Sequence, residues 1–214
     1  MIDLVGPPGV GKSWLVKQLS AAGIFKKKSS SFYKVCTKSS AHSKLLMLSA
    51  RAITDLDVLR KKNIKLIYDL NVSQTPGAHL VDEGVSHHFT NELIQLHAES
   101  RDLFLTLTAK RAVINLFASP SLVVDRIETR AAHGGYMAGC QLGMGRNELL
   151  DFTEKAMKSR HDLCSVLSEE NCPVLELEIG IDSSFATTEV IRFIEELSFR
   201  SKEVGHRVVD ACQT

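Results

Sequence analysis

Eight residues near the start of the chain, Gly6-Pro7-Pro8-Gly9-Val10-Gly11-Lys12-Ser13, limit what it can fold into more than any other stretch. They follow a short apolar run, Ile2-Asp3-Leu4-Val5, and lead into a helical pattern with Trp14, Leu15, Leu19 and Ala22 on neighbouring turns and Gly23 as a stop signal. A strand that turns through glycines into a helix N-terminus is the setting of the G-x-x-x-x-G-K-[ST] phosphate-binding loop. Glycines let the backbone wrap closely enough for successive N–H groups to point at phosphate oxygens. The positive end of the following helix adds to the same spot. Lys12 would reach the β- and γ-phosphates as a mobile charge, and the Ser13 hydroxyl would ligate Mg2+. The expected nucleotide-contacting set is therefore Gly6, Pro7, Pro8, Gly9, Val10, Gly11, Lys12 and Ser13, with Trp14 adjoining.

A second stretch, Ala78-His79-Leu80-Val81-Asp82-Glu83-Gly84, reads as a brief strand ending in two carboxylates. Downstream of a phosphate loop this fits the Walker B element, with Asp82 supporting Mg2+ from the strand's carboxyl end. Open α/β sheets gather ligands at that end, so Gly6–Ser13 and Asp82–Glu83 are expected to converge. Glu83 is a candidate to accept a proton from a substrate hydroxyl or to orient water, the alternative being a solvated neighbour. His87 and His88 read as solvent-facing loop side chains, and no H-E-x-x-H or other metal spacing surrounds them.

Composition narrows the class. The 214 residues are 44% hydrophobic and 24% charged with a formal net charge of +1, which suits one well-buried core. Near-neutral charge speaks against a dedicated nucleic-acid surface. The five cysteines, an odd count without C-x-x-C spacing, read as thiols in a reducing compartment. No apolar run approaches a membrane span. The loop begins too early to leave room for a signal peptide, so the sequence suggests a cytoplasmic location.

Between these stretches, Lys26 to Ser31 reads as a solvated loop and Phe32-Tyr33-Lys34-Val35-Cys36 as a short second strand. Helical periodicity covers 41–63, with Asp55 a candidate cap that splits it, and Lys65 to Leu70 is ambiguous. Helices are expected over 90–98 and 101–109, and a strand over Arg111–Ala118 whose apolar run suits a sheet covered on both faces. Ser119-Pro120 looks like a capped helix start. The helix that follows carries Arg126 and Arg130 four apart, on one face, as candidates to clamp a transferring phosphoryl group. A solvated face is the competing reading. Five glycines over 131–146 suggest a lid, with a merely disordered loop as the competing reading. A long helix from Arg146 to Asn171, a final strand over Pro173–Ile179 and an amphipathic helix to about Phe199 complete the pattern, with Arg160 interrupting an otherwise mostly apolar stripe.

Taken in order, the phosphate loop, the Asp82–Glu83 strand end, the Arg126/Arg130 helix and the glycine-rich segment resemble the P-loop kinases that act on nucleosides and nucleotides, over roughly residues 1–199. That resemblance implies a three-layer α/β/α fold with a mostly parallel five-stranded sheet, a lid at about 131–146 and a polar tail over 200–214. It also implies ATP and Mg2+, and transfer of the γ-phosphate to a small acceptor. Arg126 and Arg130 would then contact phosphates at the lid base, Arg146 or Arg160 would assist closure, and the segment near Gly180 to Ser184 would lie by the adenine. The chain departs from the family after Asp82-Glu83, where no Asp-Arg or Glu-Arg-Ser string follows, and at Cys36-Thr37-Lys38-Ser39, where no carboxylate supplies a base. The acceptor is therefore undefined. An ATPase in which Glu83 aligns water and hydrolysis drives a partner or switch is the alternative. The absence of an N-K-x-D string disfavours a GTPase.

Overall fold

A computed structural model describes residues 1–24, 40–73, 80–135, 141–180 and 185–197. Four strands, β1 (Ile2–Val5), β2 (Leu80–Asp82), β3 (Ala112–Phe117) and β4 (Val174–Glu178), form one all-parallel sheet in the order β2-β1-β3-β4. The segment Phe32–Cys36, read from sequence as the second of five strands, lies outside the described residues, as do Lys26–Ser31, 136–140 of the glycine-rich stretch and the tail from 198. Parallel pairing demands crossovers, and helices supply them on both faces.

Alternation along β1 shows the layering. Ile2 and Leu4 pack with Leu15 and Leu19 of α1 (Lys12–Ala21), Val123 and Ile127 of α7 (Pro120–Ala132), and Val190 of the last helix, α9 (185–197). Val5 points the other way, into a core built with Leu45 and Leu48 of α2 (Ser40–Ala52), Leu66 of α3 (Leu56–Ser73), Phe89, Leu93 and Leu96 of α5 (Thr90–Glu99), Phe104 of α6 (Arg101–Thr108) and Leu163 of α8 (Arg146–Glu169). The central strands β1 and β3 are buried on both faces, and the result is the α/β three-layer fold.

Several local choices follow from side-chain chemistry. Asp55 ends the ambiguity between one helix and two, its Oδ1 accepting from the N–H groups of Asp57 and Val58 at 2.8 and 3.3 Å. Lys65 to Leu70 becomes helix because Leu66, Asp69 and Leu70, spaced by three and four, all bury. Ser119 caps α7, its hydroxyl accepting from the N–H of Leu122 with Pro120 in the first turn. Among the described residues, no helix is long and apolar enough to cross a membrane.

The core also holds a cluster of charged side chains. Asp3 on β1 is fully buried, facing Arg111 at the start of β3 and Asp69 of α3. Arg111 donates through Nη1 to Asp3 at 3.2 Å and to Asp69 at 2.9 Å, through Nη2 to Asp69 again, and through Nε to the Leu107 carbonyl at 2.7 Å. Burial works against the Arg111 cation, yet Asp3 and Asp69 hold it above its ordinary value. The Asp3 carboxyl is pushed up by burial, which Arg111 and Ser86 oppose.

Candidate functional site

All four strands run the same way, so the loops that leave their carboxyl ends share one edge. The phosphate loop leaves β1, Glu83–Gly84 leave β2, Ser119 leaves β3 and Ile179–Gly180 leave β4. Asp82 lies opposite Leu4 in the β1–β2 ladder, which puts the second carboxylate stretch beside the start of the loop, as its sequence suggested.

The loop is held by contacts that only small residues permit. Gly9 and Gly11 adopt φ of 93° and 114°, in the left-handed half of backbone space that glycine tolerates. A Cβ on Gly6 would lie 2.6 Å from the Leu116 carbonyl oxygen. Gly11 precedes α1, whose first N–H groups open onto the loop. Among the described residues, no acceptor takes the N–H groups of Gly9, Gly11, Lys12 or Ser13. That is the donor array an anion needs.

Lys12 crosses this cradle. Its Nζ donates to the carbonyls of Gly6 and Pro7 at 2.8 and 3.2 Å and lies 3.5 Å from Glu83 Oε1. Only 8% of Lys12 is exposed, and burial lowers its ammonium below the ordinary lysine value against the pull of Glu83. Ser13 and Asp82 are both exposed on this edge. Among the described residues no group of three His, Cys, Asp or Glu side chains could hold a metal alone. A hydroxyl and one carboxylate nevertheless fit Mg2+, which takes few protein oxygens and completes its shell with phosphates and water. Trp14, which the sequence placed beside this set, is 37% exposed on the first turn of α1.

Glu83 sits in an unusual backbone. Its φ of 58° is left-handed, a conformation that costs a non-glycine residue about 1 kcal/mol or more and is tolerated where surroundings enforce it. The enforcement is visible. The Glu83 N–H donates to the Leu4 carbonyl at 3.3 Å, and Gly84 packs on Asp3 so tightly that a Cβ there would fall 2.5 Å from Oδ1. Asp3 then accepts from both the N–H and the hydroxyl of Ser86, at 3.1 and 2.7 Å. The buried Asp3–Arg111–Asp69 cluster thus fixes the corner that presents Glu83. Asp3, Asp69 and Arg111 were missed in the sequence. The only available signal was an acid inside an apolar strand.

His87 and His88 differ from the solvent-facing reading. They lie in a short helix, α4 (Val85–His88), with side chains 11% and 21% exposed, their Nε2 atoms 3.7 and 4.0 Å from the Glu83 carboxylate. α4 packs against β1, α3 and α5, which covers them, and two adjacent histidines in a string cannot reveal this. Burial is the main cause that drives the His87 pKa well below its ordinary value, helped by Lys12 and Arg160. His88 is lowered from 6.5 to about 4 by burial and then Lys65, with Glu83 opposing. An unfolded His88 takes its proton near pH 6.5, whereas the folded one resists until about 4. Between those values the unfolded chain binds more protons, so this stabilisation is whole above pH 6.5 and is lost as pH falls towards 4. At pH 5 the loss from His88 amounts to about 2 kcal/mol. Chemical denaturation is expected to show a lower midpoint at pH 5 than at 7.5, with His88→Gln narrowing the difference.

The arginines separate by role. Arg126 donates to the Val10 carbonyl at 3.2 Å and the Gly180 carbonyl at 2.7 Å, so it braces the phosphate loop against the segment after β4. Arg126 and Arg130 share one face, as their spacing required, and line a recess of about 460 Å3 with Thr129 and His133. Arg146 pairs with Asp125 and Glu128, tying the start of α8 to α7. Arg160 donates from Nη1 to the Ala156 carbonyl at 2.7 Å and influences both Lys12 and His87.

A parallel α/β sheet with a glycine loop, a buried loop lysine and a carboxylate pair at the neighbouring strand end defines a nucleotide-binding P-loop NTPase domain. The profile of the AAA domain, dynein-related subfamily, matches residues 2–112, just over half of the chain. The chain belongs to that AAA domain family. No curated protein matches it. The match spans both the phosphate loop and Asp82–Glu83. It supports the P-loop reading at superfamily level, and it favours the hydrolase alternative over the kinase resemblance.

Proposed function

We propose that this chain is an Mg2+-dependent ATPase whose hydrolytic site lies between the phosphate loop and the end of β2. The observation that carries the reading is Glu83. It follows the strand-end Asp82 directly, is held in left-handed backbone, and places its carboxylate 3.5 Å from the ammonium of the loop lysine. A carboxylate beside the group that reaches the γ-phosphate is placed to orient water and draw off its proton. Lys12, freed from Gly6 and Pro7 as nucleotide enters, would neutralise charge that builds on the transferring group. The loop N–H groups would hold the phosphates in register. Mg2+, held by Ser13 and Asp82 together with phosphate oxygens, supplies charge neutralisation when bound. The AAA family match supports the same reading.

One observation keeps a second reading open. A recess beside His87 and Arg160 adjoins the Glu83 side of the loop and has room for a small acceptor, so the γ-phosphate could pass to that molecule in place of water. Phosphate release from ATP by the full chain separates the two. Release that needs Mg2+ and is unchanged by nucleosides, nucleotides or sugars is expected of the ATPase. More than about tenfold stimulation by one of these, with label appearing on it, would assign transfer.

A further inference from the structure

The backbone at the end of β2 fixes where the Glu83 side chain starts, but not where its carboxylate points. A glutamate side chain rotates about several single bonds, and leaving them free gives up alignment with the reacting water. Three basic side chains of the described residues come within 4.0 Å of that carboxylate. Lys12 Nζ lies 3.5 Å from Oε1, His87 Nε2 lies 3.7 Å from the same oxygen, and His88 Nε2 lies 4.0 Å from Oε2. Each carboxylate oxygen therefore faces its own imidazole nitrogen. The two rings sit on a turn that is tied down at both ends. The Val85 N–H donates to Asp69 Oδ1 at 3.4 Å, Ser86 donates to Asp3, and the Thr90 hydroxyl donates to the Ser86 carbonyl at 2.8 Å. The rings meet edge to face with centroids 5.1 Å apart, so each limits the turning of the other. His88 Nε2 is buried without a hydrogen-bond partner, a state that native interiors seldom leave unanswered, and Glu83 Oε2 is the acceptor it faces.

We infer that His87 and His88 are positioning residues for ATP hydrolysis, each holding one oxygen of the Glu83 carboxylate through its Nε2–H. The inference rests on the reading of Glu83 as the group that acts on water. When the Lys12 ammonium turns to the γ-phosphate, Glu83 loses its nearest cation just as anionic oxygens arrive beside it. The two ring donors then keep the carboxylate in line against that repulsion. A closure of about 0.5–1 Å brings both nitrogens to hydrogen-bond distance, and contacts of this kind commonly tighten as a reacting complex forms. Neutral donors suit this place better than cations. A cation would be drawn to the phosphates, and it would lower the carboxylate's affinity for a proton more than an uncharged N–H does. Burial keeps both rings neutral at physiological pH. A carboxylate only accepts, so it selects the Nε2–H tautomer of each ring. His87 Nδ1 is buried without a partner that would select the other tautomer.

The test follows ATP cleavage by the full chain in single turnover with Mg2+, together with ATP affinity and the thermal melt. His87→Phe keeps a ring and loses the donor, whereas His87→Gln places an amide nitrogen where Nε2 lies. The inference predicts that His87→Phe cleaves about tenfold more slowly with ATP affinity changed by less than about twofold, and that His87→Gln recovers most of the rate. His88→Phe and His88→Gln should repeat that pattern. In a Glu83→Gln background, His87→Phe should add less than about twofold, because the group it positions is already gone. Nitrogen NMR of the parent with a non-hydrolysable ATP analogue and Mg2+ should show the Nε2–H tautomer at both histidines. With Glu83→Gln slow, three results would each overturn the inference and leave the hydrolytic reading standing: parental cleavage in both Phe variants, equal losses in the Phe and Gln variants, or the Nδ1–H tautomer at both rings. Parental cleavage by Glu83→Gln would overturn that reading and this inference together. The NMR measurement needs no variant, so it answers even if a buried substitution folds poorly.

Discussion

Lys12→Ala is expected to abolish ATP turnover, by about a hundredfold or more, while leaving the fold intact. Three contacts of its ammonium explain the size of the effect. Lys12 spans the loop from inside, donating to the Gly6 and Pro7 carbonyls and facing Glu83. Alanine leaves the sheet and both cores unchanged, because those contacts are made by a side chain on the loop and not by a packing residue. It leaves Glu83 without its nearest cation, beside loop phosphates that no side chain of the loop then neutralises. Circular dichroism and a thermal melt should match the parent, and phosphate release should fall to background. Lys12→Arg is expected to be nearly as inactive, since a planar guanidinium does not fit where a compact ammonium bridges two carbonyls.

Arg111→Met should produce the largest loss of stability of any single change away from the loop. Asp3 and Asp69 have side chains 0% and 1% exposed, and Arg111 is the cation that faces both. Replacing it by an apolar side chain leaves two carboxyl groups without their common counter-charge in a core that water does not enter. Breaking a buried pair from one side costs about 3–5 kcal/mol. For a domain of this size that corresponds to a fall in melting temperature of roughly 10 °C. The companion variant Asp3→Asn/Asp69→Asn/Arg111→Met, which removes the charges together, should recover part of the loss, and Lys110→Met on the exposed neighbour should change little. Turnover should drop in Arg111→Met even below its melting temperature, since Asp3 holds Ser86 and Gly84 and so the corner that carries Glu83. A melting temperature within 2 °C of the parent, on the order of the shift from 0.5 kcal/mol, would show that the cluster does not contribute in this way.

The parts of the site legible in the sequence are those whose chemistry is local. A phosphate loop is contiguous because one turn of backbone makes it, and a strand-end carboxylate pair is contiguous because it needs only the last residues of one strand. Ser119-Pro120 and Asp55 announced helix starts for the same reason, a cap being a contact between neighbours. The cluster beneath the site is not local. Asp3 and Arg111 are 108 positions apart and meet only once β1 and β3 pair, so within Ile2-Asp3-Leu4-Val5 the acid reads as an interruption. His87 and His88 are covered by helices drawn from residues on either side of them, which no adjacent-residue pattern encodes. Arg126 was placed on the right face by its four-residue spacing. Its partners are carbonyl oxygens of Val10 and Gly180, and backbone partners leave no trace in residue identity. The kinase resemblance drew on features spread along the chain, whereas the family match draws on residues 2–112 alone, where the nucleotide-binding elements lie.

The roles of Glu83 and of Lys12 are separable, and Glu83 carries the proposal. A single-turnover experiment measures it most directly: excess protein is mixed with γ-labelled ATP and Mg2+, the reaction is quenched over time, and bound nucleotide and released phosphate are counted in the parent and in Glu83→Gln. The amide keeps the shape of the carboxylate and cannot take a proton. Glu83→Gln is therefore expected to bind ATP at least as tightly as the parent and to cleave it about a hundredfold more slowly. Cleavage by Glu83→Gln at the parental rate would contradict the assignment of Glu83 as the group that acts on the attacking water.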